Sequence, residues 1–178
     1  MKKILVLIVA ALMALIVAIP VMAADLPAGP VTANLVMDGR DTAAVAGTVG
    51  LVYDEGVITV TYTVNPETND GWALSETHIY VDANRYPTKS APGKFPYVAV
   101  PTANPNVWTC TVPLTPNPGQ VVYVAAHAAL TKTIETPGDP PIITVLSETG
   151  WAQVGSGYDV AILPGKNWAT YFGWAPVD

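Results

Sequence analysis

The strongest signal in the chain is a two-residue alternation of apolar and polar positions. Between Val57 and Val64, Ile58, Val60, Tyr62 and Val64 alternate with Thr59, Thr61 and Thr63. That period predicts a strand with one face in a core and the other in solvent. Ala43 to Tyr53 reads as its partner, with Val45, Val49, Leu51 and Tyr53 on one face. The connection Asp54-Glu55-Gly56 predicts a three-residue hairpin, a type I turn with glycine in the left-handed position. Thr32 to Met37 predicts a first strand, closed by the turn cluster Asp38-Gly39-Arg40-Asp41. The segment Gly71 to Asp82, GWALSETHIYVD, predicts a central strand. Strict alternation puts Trp72, Leu74, Glu76, His78 and Tyr80 on one face, with Ala73, Ser75, Thr77, Ile79 and Val81 on the other.

Further on, Asn84 to Pro96 is a connection whose Pro87, Pro92 and Pro96 exclude a central strand. Tyr97 to Val100 predicts a short strand. Val107 to Leu114 predicts another, in which Trp108, Cys110 and Val112 alternate with Thr109 and Thr111. Gln120 to Leu130 is a long apolar segment whose valines and tyrosine favour strand, although its alanines keep helix as a rival. Thr136 to Pro141 reads as a proline-rich excursion, Ile142 to Leu146 as a short strand, Gly150 to Pro164 as loop, and Asn167 to Val177 as the closing strand. With no amphipathic helix in the pattern, the expectation is all-β: an Ig-like antiparallel β-sandwich, one domain over residues 35–178.

Composition adds a destination. Lys2 and Lys3 precede an unbroken apolar run from Ile4 to Ile19, then Pro20 and Val21-Met22-Ala23. This predicts a signal peptide over residues 1–23 and a flexible leader over 24–34, hence a secreted, extracellular protein. Ile4 to Ala24 is also long enough to cross a bilayer, so an uncleaved anchor is the alternative, and the only membrane contact expected. A net charge of −6 with 12% charged residues leaves no basic surface for phosphates, so no nucleic-acid partner is expected. The 51% hydrophobic content argues against disorder. Cys110 is the single cysteine, so stability is expected to come from burial, with the thiol on the inner face of its strand.

Five segments, GWALSETHIYV, YPTKSAPGKFPY, VYVAAHAAL, SETGWAQ and PGKNWATYF, occur in an order that resembles a β-sandwich module of secreted and surface proteins of bacteria and archaea. The resemblance spans about Leu35 to Phe172 and departs at Lys132 to Thr144, which reads as an insertion. It implies a sandwich fold and an extracellular setting, beside adhesion-type domains in larger chains. It supplies no catalytic residue.

Candidate chemistry is sparse. Glu76 and His78, two apart on a strand, emerge on one face about 7 Å apart. With His127, the only other histidine, they form a candidate three-ligand metal site with an open position. The plainer reading is a hydrogen-bonded polar group inside the sandwich, and beyond that metal no cofactor is expected. Alternation points Ser75 away from Glu76 and His78, and no Gly-x-Ser-x-Gly elbow surrounds the other serines. The chain is therefore expected not to be an enzyme. Trp72, Trp151, Trp168 and Trp174 lie near strand ends, where exposed rings would stack on sugars; ordinary core is the competing fate. Asp38 to Asp41 and Asn69-Asp70 are weak calcium candidates. Three functions follow: a non-enzymatic module contacting cell-surface or matrix protein or polysaccharide, a carbohydrate-binding module using the tryptophans, and a self-assembling subunit completed by a neighbour's Ala24–Asn34 leader.

Overall fold

The hairpin at the centre of the sequence forms as β2 (Val45–Asp54) and β3 (Val57–Val64), paired from Gly47↔Val64 to Asp54↔Val57. Only Glu55 and Gly56 lie between the strands, at φ 42° and 86°. This is a two-residue turn with both residues left-handed, instead of the expected three-residue type I connection. That primed geometry matches the twist of the flanking strands. The coordinates, a computed structural model, describe residues 26, 29–37, 44–65, 67, 69–88, 91–101, 106–155, 160–163 and 169–176. The signal segment, the Asp38–Asp41 turn and Trp168 lie outside the described residues.

The remaining strands are β1 (Val31–Met37), β4 (Ala73–Asp82), β5 (Tyr97–Ala99), β6 (Val107–Pro113), β7 (Val122–Thr136), β8 (Ile142–Gln153), β9 (Val160–Ile162) and β10 (Thr170–Trp174). A single 3₁₀ turn at Pro92–Lys94 interrupts the long proline-bearing connection. Among the described residues no helix is long and apolar enough to cross a membrane. All strand pairs are antiparallel, in the order β5-β4-β7-β8-β1-β2-β3-β6, with β10 bridging β7 and β9. The all-β, antiparallel architecture is the one that the alternation predicts.

Two halves of this sheet face each other across one core. β8 joins them: it pairs with β7 up to Trp151 and with β1 from Gly150 to Gln153. Gly150 sits at the crossover, where an added Cβ would come within 3.1 Å of the Leu35 side chain. The segment expected as loop from Gly150 is thus strand through Gln153, and glycine there serves close approach. Core residues come from both halves, with Leu35, Leu51, Ile58, Ile79 and Leu130 fully buried. Each such side chain contributes roughly 1.5–3 kcal/mol. Cys110 lies on the inner side of β6, half-buried against this core.

Two expectations about the chain's first strands change. β1 opens at Val31 with Val31 and Ala33 buried, so residues 31–34 of the supposed leader are an integral strand. It lies between β2 and β8 of its own chain, which fills in cis the place that a neighbour's leader was expected to fill.

The second change concerns the Gly71–Asp82 segment. Leu74 pairs with Leu130 and Glu76 with Ala129, leaving Ser75 as an extra residue. This bulge reverses the phase of the strand. Leu74 joins Thr77, Ile79 and Val81 on the core side, while Glu76, His78 and Tyr80 face the other way. Strict alternation had placed Leu74 with Glu76.

Candidate functional site

The outer face of β4 and β7 is covered, not bare. The 83–96 connection and Leu163 and Ala169 close over it, forming a second small cluster of Phe95, Ala125, Trp151, Leu163 and Ala169. His78 and His127 are direct register partners beneath this cover, and Trp151 is the next residue in the same row on β8. Their rings form a file, with centroids 5.2 Å apart for His78–His127 and 4.9 Å for His127–Trp151. Both histidines are buried, at 6% and 7% exposure.

Glu76 Oε2 lies 3.3 Å from His78 Nε2, with the carboxylate half-exposed. Among the described residues neither Nδ1 has a hydrogen-bond partner. Burial holds the His127 imidazole neutral, its pKa lowered to about 3, with the nearby His78 adding to the effect. The structure thus brings Glu76, His78 and His127 together, as the sequence suggests, as one close carboxylate–imidazole pair and an aromatic file. Among the described residues no group of three His, Cys, Asp or Glu is placed to hold a metal ion.

Directly beneath the pair, the Tyr62 hydroxyl of β3 reaches across the core. It lies 3.2 Å from the His78 carbonyl and 3.1 Å from the His127 carbonyl, donating to the pair of them. Burial raises the Tyr62 hydroxyl well above its ordinary pKa, so it stays a donor. One phenol therefore fastens the opposite halves of the sandwich at the histidine row. Sequence reading missed this link, because Tyr62 alternates like any core residue.

Two of the four candidate tryptophans, Trp151 and Trp174, are buried. Trp174 is fully buried, and its Nε1 donates to the Gly29 carbonyl at 2.8 Å. Trp151 is 3% exposed within the histidine file, and Trp72 packs against the main core. Solvent stacking is closed to Trp151 and Trp174 for the usual reason: on strands that face a core, the largest apolar surface goes inside. At the Asn69-Asp70 candidate, Asn69 Nδ2 donates to the Ala46 carbonyl at 2.6 Å and Asp70 pairs with Lys132 at 2.6 Å, while the buried Asn69 Oδ1 has no hydrogen-bond partner among the described residues.

Two surface features went unmarked in the sequence. Tyr80, Asp82, Arg85, Lys94 and Phe95 line a cavity of ≈190 Å³ under the proline connection. Asp82 shapes its rim by accepting from the backbone N–H groups of Asn84 and Arg85 at 2.7 and 3.1 Å. Beside it the Tyr86 ring, 51% exposed, stacks on Tyr171 at 6.1 Å and 14°.

The second feature is an arm. β4 leaves β7 at Thr131, yet β7 and β8 continue as a paired ladder from Lys132↔Leu146 to Thr136↔Ile142. Here both faces are in solvent, and Ile142, Ile143 and Val145 are 63%, 55% and 61% exposed. Ile134 and Leu146 are exposed as well. Ile134, Leu146 and Ile142 continue the core-facing register of Leu130, past the point where any described strand covers it. The arm coincides with the insertion seen in the sequence at Lys132 to Thr144. No protein-family model, curated protein or solved structure matches the chain.

Proposed function

We propose that the chain is a secreted, non-enzymatic module of immunoglobulin-like sandwich type, which works by contact at the cell surface or within an extracellular layer. The observation that carries this reading is the β7–β8 arm, which holds five large aliphatic side chains in solvent on a paired two-stranded support. An isolated apolar residue on a surface means little, but a cluster on a projecting element loses free energy only when something covers it. The resemblance to a module found beside adhesion-type domains supports the same reading. The test is sedimentation of the purified chain with isolated cell envelopes. A variant with residues 133–145 replaced by Asn-Gly is expected to stay in the supernatant. Equal sedimentation of both proteins counts against the reading.

Carbohydrate binding is the second reading, now carried by tyrosine. The exposed Tyr86 ring, supported from behind by Tyr171, offers a face on which a sugar can stack. Retention on insoluble polysaccharide that disappears in Tyr86→Ala would favour it over the arm.

A further inference from the structure

We infer that the arm joins two copies of this chain, edge to edge along β8. The inference rests on the contact reading above and names its partner. From Ile142 to Thr149, β8 is paired on one side with β7. On its other side the first ladder partner among the described strands is Met37, opposite Gly150. A free edge of this kind presents a row of N–H and C=O groups that templates another strand.

Folded proteins blunt such edges with proline, charge, a bulge or brevity. Other free edges among the described strands follow that rule: β5 is three residues long, the outer edge of β7 carries Lys132 and Glu135, and β6 ends on Pro113. The β8 edge is bounded by Pro141 and Glu148 but open between them. From Ile142 to Ser147 it reads Ile-Ile-Thr-Val-Leu-Ser, without charge or proline, and its ladder with β7 runs without a register shift.

A second copy fits because the segment is compatible with its own reverse. Pairing antiparallel about a twofold axis at Val145 sets Val145 against itself, Thr144 against Leu146, Ile143 against Ser147 and Ile142 against Glu148. No two like charges meet, and each face keeps its aliphatic residues together. The product is a four-stranded sheet with β7 on both outer edges. Main-chain hydrogen bonds supply the affinity, and the flanking side chains add burial. The paired segment, Ile142 to Glu148 in each copy, is short, so the contact lies at or below the roughly 1,000 Å² of a specific interface. The association is therefore reversible and depends on concentration.

The experiment uses the full chain in a Cys110→Ser background. Sedimentation velocity is expected to show a monomer–dimer equilibrium. Val145→Cys is expected to form a disulfide-linked dimer under mild oxidation. Thr133→Cys, in the same row but on the outer strand, is expected not to, because the two positions would lie about 14 Å apart. Val145→Lys places two like charges face to face and weakens dimerisation by about tenfold or more. It should leave the melting temperature unchanged, since Val145 is 61% exposed. A chain that stays monomeric at all concentrations, with no link through position 145, overturns the pairing; so does cross-linking through Thr109→Cys on β6 in its place. If such a monomer still needs its arm to bind envelopes, the contact reading survives and only the partner is wrong.

Discussion

His127 makes the stability of the fold depend on pH. In the unfolded chain it titrates near its ordinary value of 6.5, and in the folded protein burial and His78 hold it at about 3. Between those values the unfolded state binds a proton that the folded state refuses, so stability falls as pH drops below about 6.5. The groups facing it are His78 from β4, which Glu76 approaches in turn, and Trp151 from β8. The loss is of order several kcal/mol if the fold persists to the low end of the window. Urea midpoints measured from about pH 7 to pH 4 are expected to fall steeply in the unmodified chain and much less in His127→Phe. Tyr62→Phe tests the link below. It keeps the ring and removes the hydroxyl shared by the two histidine carbonyls, and is expected to cost about 1–2 kcal/mol by urea unfolding. A loss within error would mean that the ladder alone satisfies those carbonyls.

At the scale of elements, the arm and the crossover should behave in opposite ways. Replacing residues 133–145 by Asn-Gly leaves a two-residue hairpin between the paired Lys132 and Leu146. Little core is lost, so the melting temperature should shift by only a few degrees. Gly150→Ala changes one atom but pushes it against the fully buried Leu35, and about 1–3 kcal/mol of destabilisation is expected by the same measurement. The strands that were legible in the sequence are those with one face in the core, because only that situation writes an alternation. β3 and β6 are of this kind. The outer half of β7 has no covered face, so Lys132 to Thr136 reads as part of an insertion although it is regular strand. Gly150 disguised the end of β8, since its role is close packing and not a turn. The bulge at Ser75 left no trace, because the extra residue is neither glycine nor proline. The candidate site was half legible: Glu76, His78 and His127 do converge, while the burial of Trp151 and Trp174 depends on strand facing that composition does not reveal.

The whole molecule depends on β1, which joins one half of the sheet to the other through β2 and β8. Removing residues 1–28 should leave circular dichroism and cooperative unfolding unchanged, because the Gly29 carbonyl that holds Trp174 is retained. Removing residues through Leu35 deletes Val31, Ala33 and Leu35 from the core and should abolish cooperative folding. The same arrangement sets an order in time. Leu35 lies in the first described strand, and its partner Ala152 lies in the eighth, more than a hundred residues later. The β2–β3 hairpin can close as soon as Val64 appears, but the sandwich cannot lock until β8 is available. Under the secreted reading proposed above this delay is useful: a chain whose first strand waits for its eighth stays threadable during passage, and becomes resistant to unfolding only on arrival.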